Sequence, residues 1–265
     1  MFARARSVKV MAWSLLAAAV ALGIADFAQA APAGPCQEMT VSNVPYVVCT
    51  FDLHTSALKL HWKNPQGEPY GTVGALARAA GRSGSAVSMA INAGMYHADG
   101  TPVGLYVENG QQLVKANTAG GPGNFHMKPN GVFYFTDLEA GVMETGKFLK
   151  TKPGADYATQ SGPMLVIDGK LHPRFSAHGP SLKIRNGVGV RDNGQTVVFA
   201  ISNDGVSFGD FARLFRDTLK CSNALFLDGS ISSVWAPSAG RSDELWPAGP
   251  IVSARPRAKA AATSK

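Results

Sequence analysis

Val188-Gly189-Val190-Arg191-Asp192-Asn193-Gly194-Gln195-Thr196-Val197-Val198-Phe199-Ala200-Ile201-Ser202 is the stretch that decides the fold. Two runs rich in β-branched and aromatic residues meet at Asn193-Gly194. That dipeptide adopts the positive φ of a tight hairpin turn at little cost. The device recurs. Asn109-Gly110 follows a strand pattern at 103–108, and Asp168-Gly169 follows another at 164–167. Further strand patterns lie at 46–51, 58–62, 87–91, 131–135 and 224–227. One helix is clear, at 208–219, where Phe211, Leu214, Phe215 and Leu219 share a face. A shorter one is expected at 72–80, ended by Gly81. The pattern predicts an α+β protein: a single domain with a mixed, mainly antiparallel β-sheet core and a few helices.

The chain has 265 residues, 45% hydrophobic and 16% charged, with 29 glycines. Charge below the usual level of about 25% and a surplus of glycine exclude a disordered chain, a coiled coil and a collagen. The formal charge of +7 would suggest an acidic polymer as partner. Its distribution argues otherwise. Arg4, Arg6 and Lys9 against Asp26 give +2, and Arg255, Arg257, Lys259 and Lys265 give +4. Residues 31–250 keep only the remaining +1, so no nucleic-acid partner is expected.

Residues 1–30 have the three parts of a secretory signal peptide. A basic start precedes an apolar run at 10–24, and Ala28-Gln29-Ala30 forms a small-x-small cleavage site. The run is short for a membrane span, so the mature protein is expected to be periplasmic or secreted, without a transmembrane segment. Residues 254–265 have no apolar period and are expected to form a disordered basic tail. In an oxidising compartment two of the three cysteines can pair. Cys36 and Cys49 flank a short segment and are the natural pair, which leaves Cys221 a buried thiol. The sequence leaves open a bond from Cys221 to either of the others.

Several motifs bear on chemistry. Gly205-Val206-Ser207-Phe208-Gly209 matches the G-x-S-x-G of a hydrolase elbow. That fold places its histidine after the serine, and the last histidine here is His178, so Ser207 reads as a helix cap. No two histidines have zincin spacing. Asp228 ends an apolar strand ahead of Gly229 and Ser230. It reads either as a carboxylate aimed into a cleft or as a turn residue bonding its own backbone. Asp99, in Asp99-Gly100, is a weaker carboxylate of the same kind. Arg185, beside Asn186-Gly187, is either a fork for phosphate or a surface ion pair. Asn92 and Gly94 follow a strand end, His97 lies in the glycine-rich turn after them, and Ser161 opens a polar turn with no adjacent base.

Six blocks in order are more specific than any one of them. Asn92-Ala93-Gly94-Met95-Tyr96 with Pro102-Val103-Gly104-Leu105, Gly123-Asn124-Phe125 and Lys128-Pro129-Asn130-Gly131-Val132-Phe133 resemble the phosphodiester glycosidase family. So do Gln160-Ser161-Gly162-Pro163-Met164-Leu165, Arg185-Asn186-Gly187-Val188-Gly189 and Leu227-Asp228-Gly229-Ser230-Ile231-Ser232-Ser233. The family includes the lysosomal enzyme that uncovers mannose 6-phosphate tags, and the likeness here is greatest to its smaller bacterial branch. The resemblance spans roughly residues 45–252 and implies a glycosidase-like domain at 31–253. It departs from the family at Ser230 and Ile231, which stand where two glycines are usual.

The resemblance implies hydrolysis of a sugar-1-phosphodiester in an envelope or extracellular glycan. Asp228, with Asp99 second, would be the catalytic carboxylate. Asn92, Gly94, Arg185, Asn186, Gly229, Ser230, Ser161 and His97 would contact substrate. The alternative is a non-catalytic envelope protein that binds a polysaccharide or phosphorylated glycan. No metal site is expected from spacing. Asp99, Asp228 and main-chain oxygens would still suit a hard divalent cation, although no stretch has a calcium-loop pattern.

Overall fold

A computed structural model describes residues 34–176, 179–228 and 231–258. The signal at 1–30, the positions Gly229 and Ser230, and the tail from 259 lie outside the described residues. Three sheets carry the fold, and every pairing between their strands is antiparallel.

The seven-stranded sheet runs Cys36–Val41, Val44–Asp52, Thr196–Ser202, Asn186–Arg191, Asn223–Phe226, Met164–Ile167, Lys170–Leu171. A five-stranded sheet runs Arg241–Ser242, Val234–Ala236, Met89–Asn92, Ile251–Pro256, Ser56–His61. The other five-stranded sheet runs Gln111–Val114, Tyr106–Glu108, Tyr157–Ser161, Gly131–Phe135, Ala140–Glu144.

The 186–202 hairpin forms, with Asn186 paired to Ile201 and Arg191 to Thr196, and its turn takes four residues, Asp192–Gln195, with positive φ at Asp192 as well as at Asn193 and Gly194. Its alternate side chains serve two cores. Val197, Phe199 and Ile201 enter a core that receives residues from all three sheets, including Phe133, Leu60 and Val252. Val198 and Ala200 pack on the opposite side with Phe211, Leu214 and Phe215. Burial on both faces explains the unbroken apolar run. Each buried phenylalanine contributes about 1.5–3 kcal/mol.

Three α-helices close the outer faces. Helix α1 (Val73–Arg82) is capped by Thr72, whose hydroxyl accepts from Ala75 N at 3.0 Å. It buries Val73 and Leu76 against Ala90 and Ile251. It runs past Gly81, because the stop is Gly84, with φ +72°. Helix α2 (Thr145–Thr151) gave no periodic signal. Its cap is Glu144, which accepts from Lys147 N at 2.7 Å. Helix α3 (Phe208–Arg213) is capped by Ser207 and passes into a π turn, Leu214–Thr218.

Cys36 and Cys49 are bonded across the first two strands, where they are register partners, and Cys221 is a buried free thiol. Burial pushes the Cys221 thiol up to about 12, which keeps it protonated and inert. The basic end departs from expectation. Residues 254–256 belong to the strand Ile251–Pro256, which lies inside its sheet between two partners. Ala254 faces the core with no exposure, so composition mistook the end of a strand for the start of a tail. No helix among the described residues is long and apolar enough to cross a membrane.

Candidate active site

Two of the sheets bring strand ends together at one seam. Asn92 closes Met89–Asn92, Asn186 opens Asn186–Arg191, and Asp228 follows Asn223–Phe226 by two residues. Asn92 is fully buried and bonds to all the others. Its Oδ1 accepts from Asn186 Nδ2 at 2.7 Å and from Ser233 N at 2.8 Å. Its Nδ2 donates to the Asp228 carbonyl at 3.2 Å. Asn186 Nδ2 also donates to the Asn92 carbonyl at 3.1 Å. The Asp228 N–H donates to Ala93 O at 3.1 Å, and Leu227 N to Asn186 O at 3.1 Å.

The backbone of Asp228 is therefore fixed on both sides, and the residue keeps 7% exposure. Buried carboxylates are uncommon unless a function or partner requires them. The charge of Asp228 is felt by Tyr96. Burial first, then Asp228, push the Tyr96 phenol up to about 12. Tyr96 donates to Pro247 O at 2.5 Å, which fastens the 243–249 loop beside the seam.

The remaining candidates separate. Gly94 is a packing position: a Cβ there would sit 2.3 Å from Thr159 Oγ1 and 2.4 Å from Gln160 O. It lets the Asn92 strand end touch the neighbouring sheet, and its N–H donates to Thr159 Oγ1 at 3.2 Å. Ser161 ends Tyr157–Ser161, is fully buried, and its hydroxyl has no hydrogen-bond partner among the described residues.

Asp99 and His97 stand exposed on the turn after the seam. Asp99 Oδ1 accepts from Thr101 N at 2.9 Å, and that bond holds its carboxyl below the usual range. Asp99 is thus occupied with its own turn, and neither residue is bonded to the Asn92 cluster. Among the described residues no three of His, Cys, Asp or Glu come together as metal ligands.

Burial removes one of the two readings of Arg185. It is 1% exposed, so it is no surface ion pair. Nε donates to Val206 O at 2.8 Å and Nη2 to Ser181 O at 3.0 Å. The guanidinium lies 3.6 Å from the Phe208 ring centre and 5.5 Å from that of Phe226. Burial lowers it to about 10, still charged at neutral pH. Two of its five N–H donors are thus spent on main-chain carbonyls, and the residue braces the backbone next to Asn186.

Two contributors were missed. Ser233 supplies the N–H that fixes Asn92 Oδ1, and its only signal was its place after Asp228. Gln160 stands in a quoted block without a role. Its Oε1 accepts from Leu105 N and Asn117 N, both at 2.9 Å, and its Nε2 donates to Asn117 O at 2.8 Å.

The phosphodiester glycosidase family model matches residues 85–256, which include the whole seam. The uncharacterized protein YigE of Escherichia coli K12 is 40% identical over 186 residues, covering 70% of this chain and 72% of that protein. Among solved structures, the catalytic domain of zebrafish N-acetylglucosamine-1-phosphodiester alpha-N-acetylglucosaminidase, auto-inhibited by its pro-peptide, is similar in fold. The TM-score is 0.54 at 12% identity, over 82% of this chain and 80% of that one. A hypothetical protein from Synechocystis gives 0.55 at 14%, over 84% of this chain and 61% of that one. The sequence matches extend well past the seam, and the chain belongs to the phosphodiester glycosidase family.

Proposed function

We propose that this protein hydrolyses the bond between the anomeric carbon of a sugar and phosphate in a sugar-1-phosphodiester, within an envelope or extracellular glycan. The observation that carries the reading is the placement of Asp228. It is a nearly buried carboxylate whose backbone is held by Asn92 and Ala93 where strand ends of separate sheets meet.

A phosphate monoester leaves as a stable anion, so the reaction makes little demand for a general acid. It demands a negative group near the positive charge that develops at the anomeric carbon, and a base for water. In the proposed step the anomeric C–O bond breaks and its electron pair leaves with the phosphate oxygen. Water adds to carbon, and its proton passes to the Asp228 carboxylate. Asn92 and Asn186 are positioning residues, since Asn92 holds the Asp228 carbonyl and Asn186 holds Asn92. The disulfide suits an oxidising compartment and supports a periplasmic or secreted site of action.

Hydrolysis of a chromogenic sugar-1-phosphodiester in heavy-oxygen water tests the bond broken. The label is expected in the sugar product. Label in the phosphate would make the protein a phosphodiesterase, and glycan binding without turnover would make it a binding protein.

A further inference from the structure

A pocket lies away from the seam, between helix α1 and the edge of the sheet that contains Met89–Asn92. Its volume is about 280 Å³. Strand alternation builds it. In Ser56–His61, Leu58 and Leu60 enter the core, so Ala57, Lys59 and His61 face the other way. In Ile251–Pro256, Val252 and Ala254 enter the core, so Ser253 and Arg255 face the pocket. The register sets Ser253 opposite Lys59 and Arg255 opposite Ala57, which puts the two cations on one face as diagonal neighbours.

Two cations on one face make the pocket rim positive unless an anion offsets them. No carboxylate lines this pocket, and neither the Lys59 nor the Arg255 side chain takes a hydrogen bond or ion pair among the described residues. Lys59 alone would be explained as protection of a sheet edge, since Ser56–His61 is an edge strand. Arg255 is not on the edge strand and needs another reason.

The inner wall is polar and ordered. His61 Nε2 is bonded to Ser253 Oγ at 2.9 Å, and Tyr70 stacks edge-on against His61 with ring centres 5.9 Å apart. Burial, then Lys59, lower His61 to about 4, so the ring is neutral and adds no third charge at neutral pH. The floor is apolar, formed by Leu76, Ala80 and Val87.

We infer that this pocket binds a small carboxylate with an apolar body, such as an aryl carboxylate. The carboxylate would lie between Lys59 and Arg255, and the ring on the floor under α1. An arginine fork matches a carboxylate, and an apolar floor favours a hydrocarbon body.

Benzoate is the probe, with benzyl alcohol as its uncharged counterpart, followed by amide chemical shifts of the folded protein. Benzoate is expected to shift amides of Ser56–His61, Ile251–Pro256 and α1, and to bind at least about tenfold more tightly than benzyl alcohol. The double variant Lys59→Gln, Arg255→Gln should lose about tenfold or more in benzoate affinity. Ala80→Leu keeps a good helix former while filling the floor, and should weaken both probes. Absence of benzoate shifts at these strands would overturn the inference. So would equal binding of the two probes, or unchanged benzoate affinity in the double variant with its folded spectrum intact.

Discussion

Asp228 and Asp99 carry the same local signature: an aspartate a few residues beyond a buried strand, directly before a glycine. Asp99 projects on an exposed turn and spends its carboxylate on Thr101 N, two residues on. Asp228 has its backbone clamped by Ala93 and Asn92, more than 130 residues away in sequence, and its carboxylate charge is felt by the Tyr96 phenol. Local chemistry made both candidates. Long-range hydrogen bonds set them apart, because partners from another sheet hold the Asp228 backbone at a buried position.

The comparison is most sharply tested by paired substitutions. Asp228→Asn should lower turnover of a sugar-1-phosphodiester by about 10³-fold, the usual range for removing a general base, with the fold intact. Asp99→Asn should change it less than about twofold. Comparable losses in the two would erase the distinction.

Stability is the next measure. Asn92→Ala removes two acceptor bonds and one donor bond at a fully buried site, and leaves Ser233 N and Asn186 Nδ2 short of partners. A loss of about 3 kcal/mol in denaturant unfolding is expected. Removing the Asp99 side chain should not move the unfolding midpoint measurably, since Thr101 N can turn to water.

The smallest effect is electrostatic. The Tyr96 phenol, at about 12 in the folded state against 10.0 for the free group, favours the neutral form. Its share of stability is complete below pH 10 and is lost as pH rises through 12. Ultraviolet titration referenced to Tyr96→Phe should place this phenol lower in Asp228→Asn and leave it unmoved in Asp99→Asn. An unmoved phenol in Asp228→Asn would mean that burial alone sets it.

The hairpins were legible because a short turn and its flanking strands are written contiguously. Gly131–Phe135, Met164–Ile167 and Thr196–Ser202 form at the bounds their patterns predict. The division into three sheets was not legible, since it depends on which strands pair across long separations. Tyr157–Ser161 and Ile251–Pro256 went unread because Gln160, Ser253 and Arg255 interrupt their apolar pattern. Each of those polar residues has a tertiary setting that the linear sequence does not show. At the seam, the residue types were readable and their duties were not. Arg185 braces main-chain carbonyls through two of its donors, and Gly94 lets two sheets touch, and no local pattern announces either contact.

Gln160 has a consequence for how the molecule comes apart. Its one amide takes the place of a strand partner for Leu105 and Asn117 together, and also reaches Thr145 Oγ1 at 3.3 Å. A strand shares its load over many bonds, whereas this latch concentrates it in a single side chain. Loss of the amide removes the bonds to Leu105 N and Asn117 at once while the sheets persist, so a protease is expected to find its first opening around Asn117 rather than at the seam.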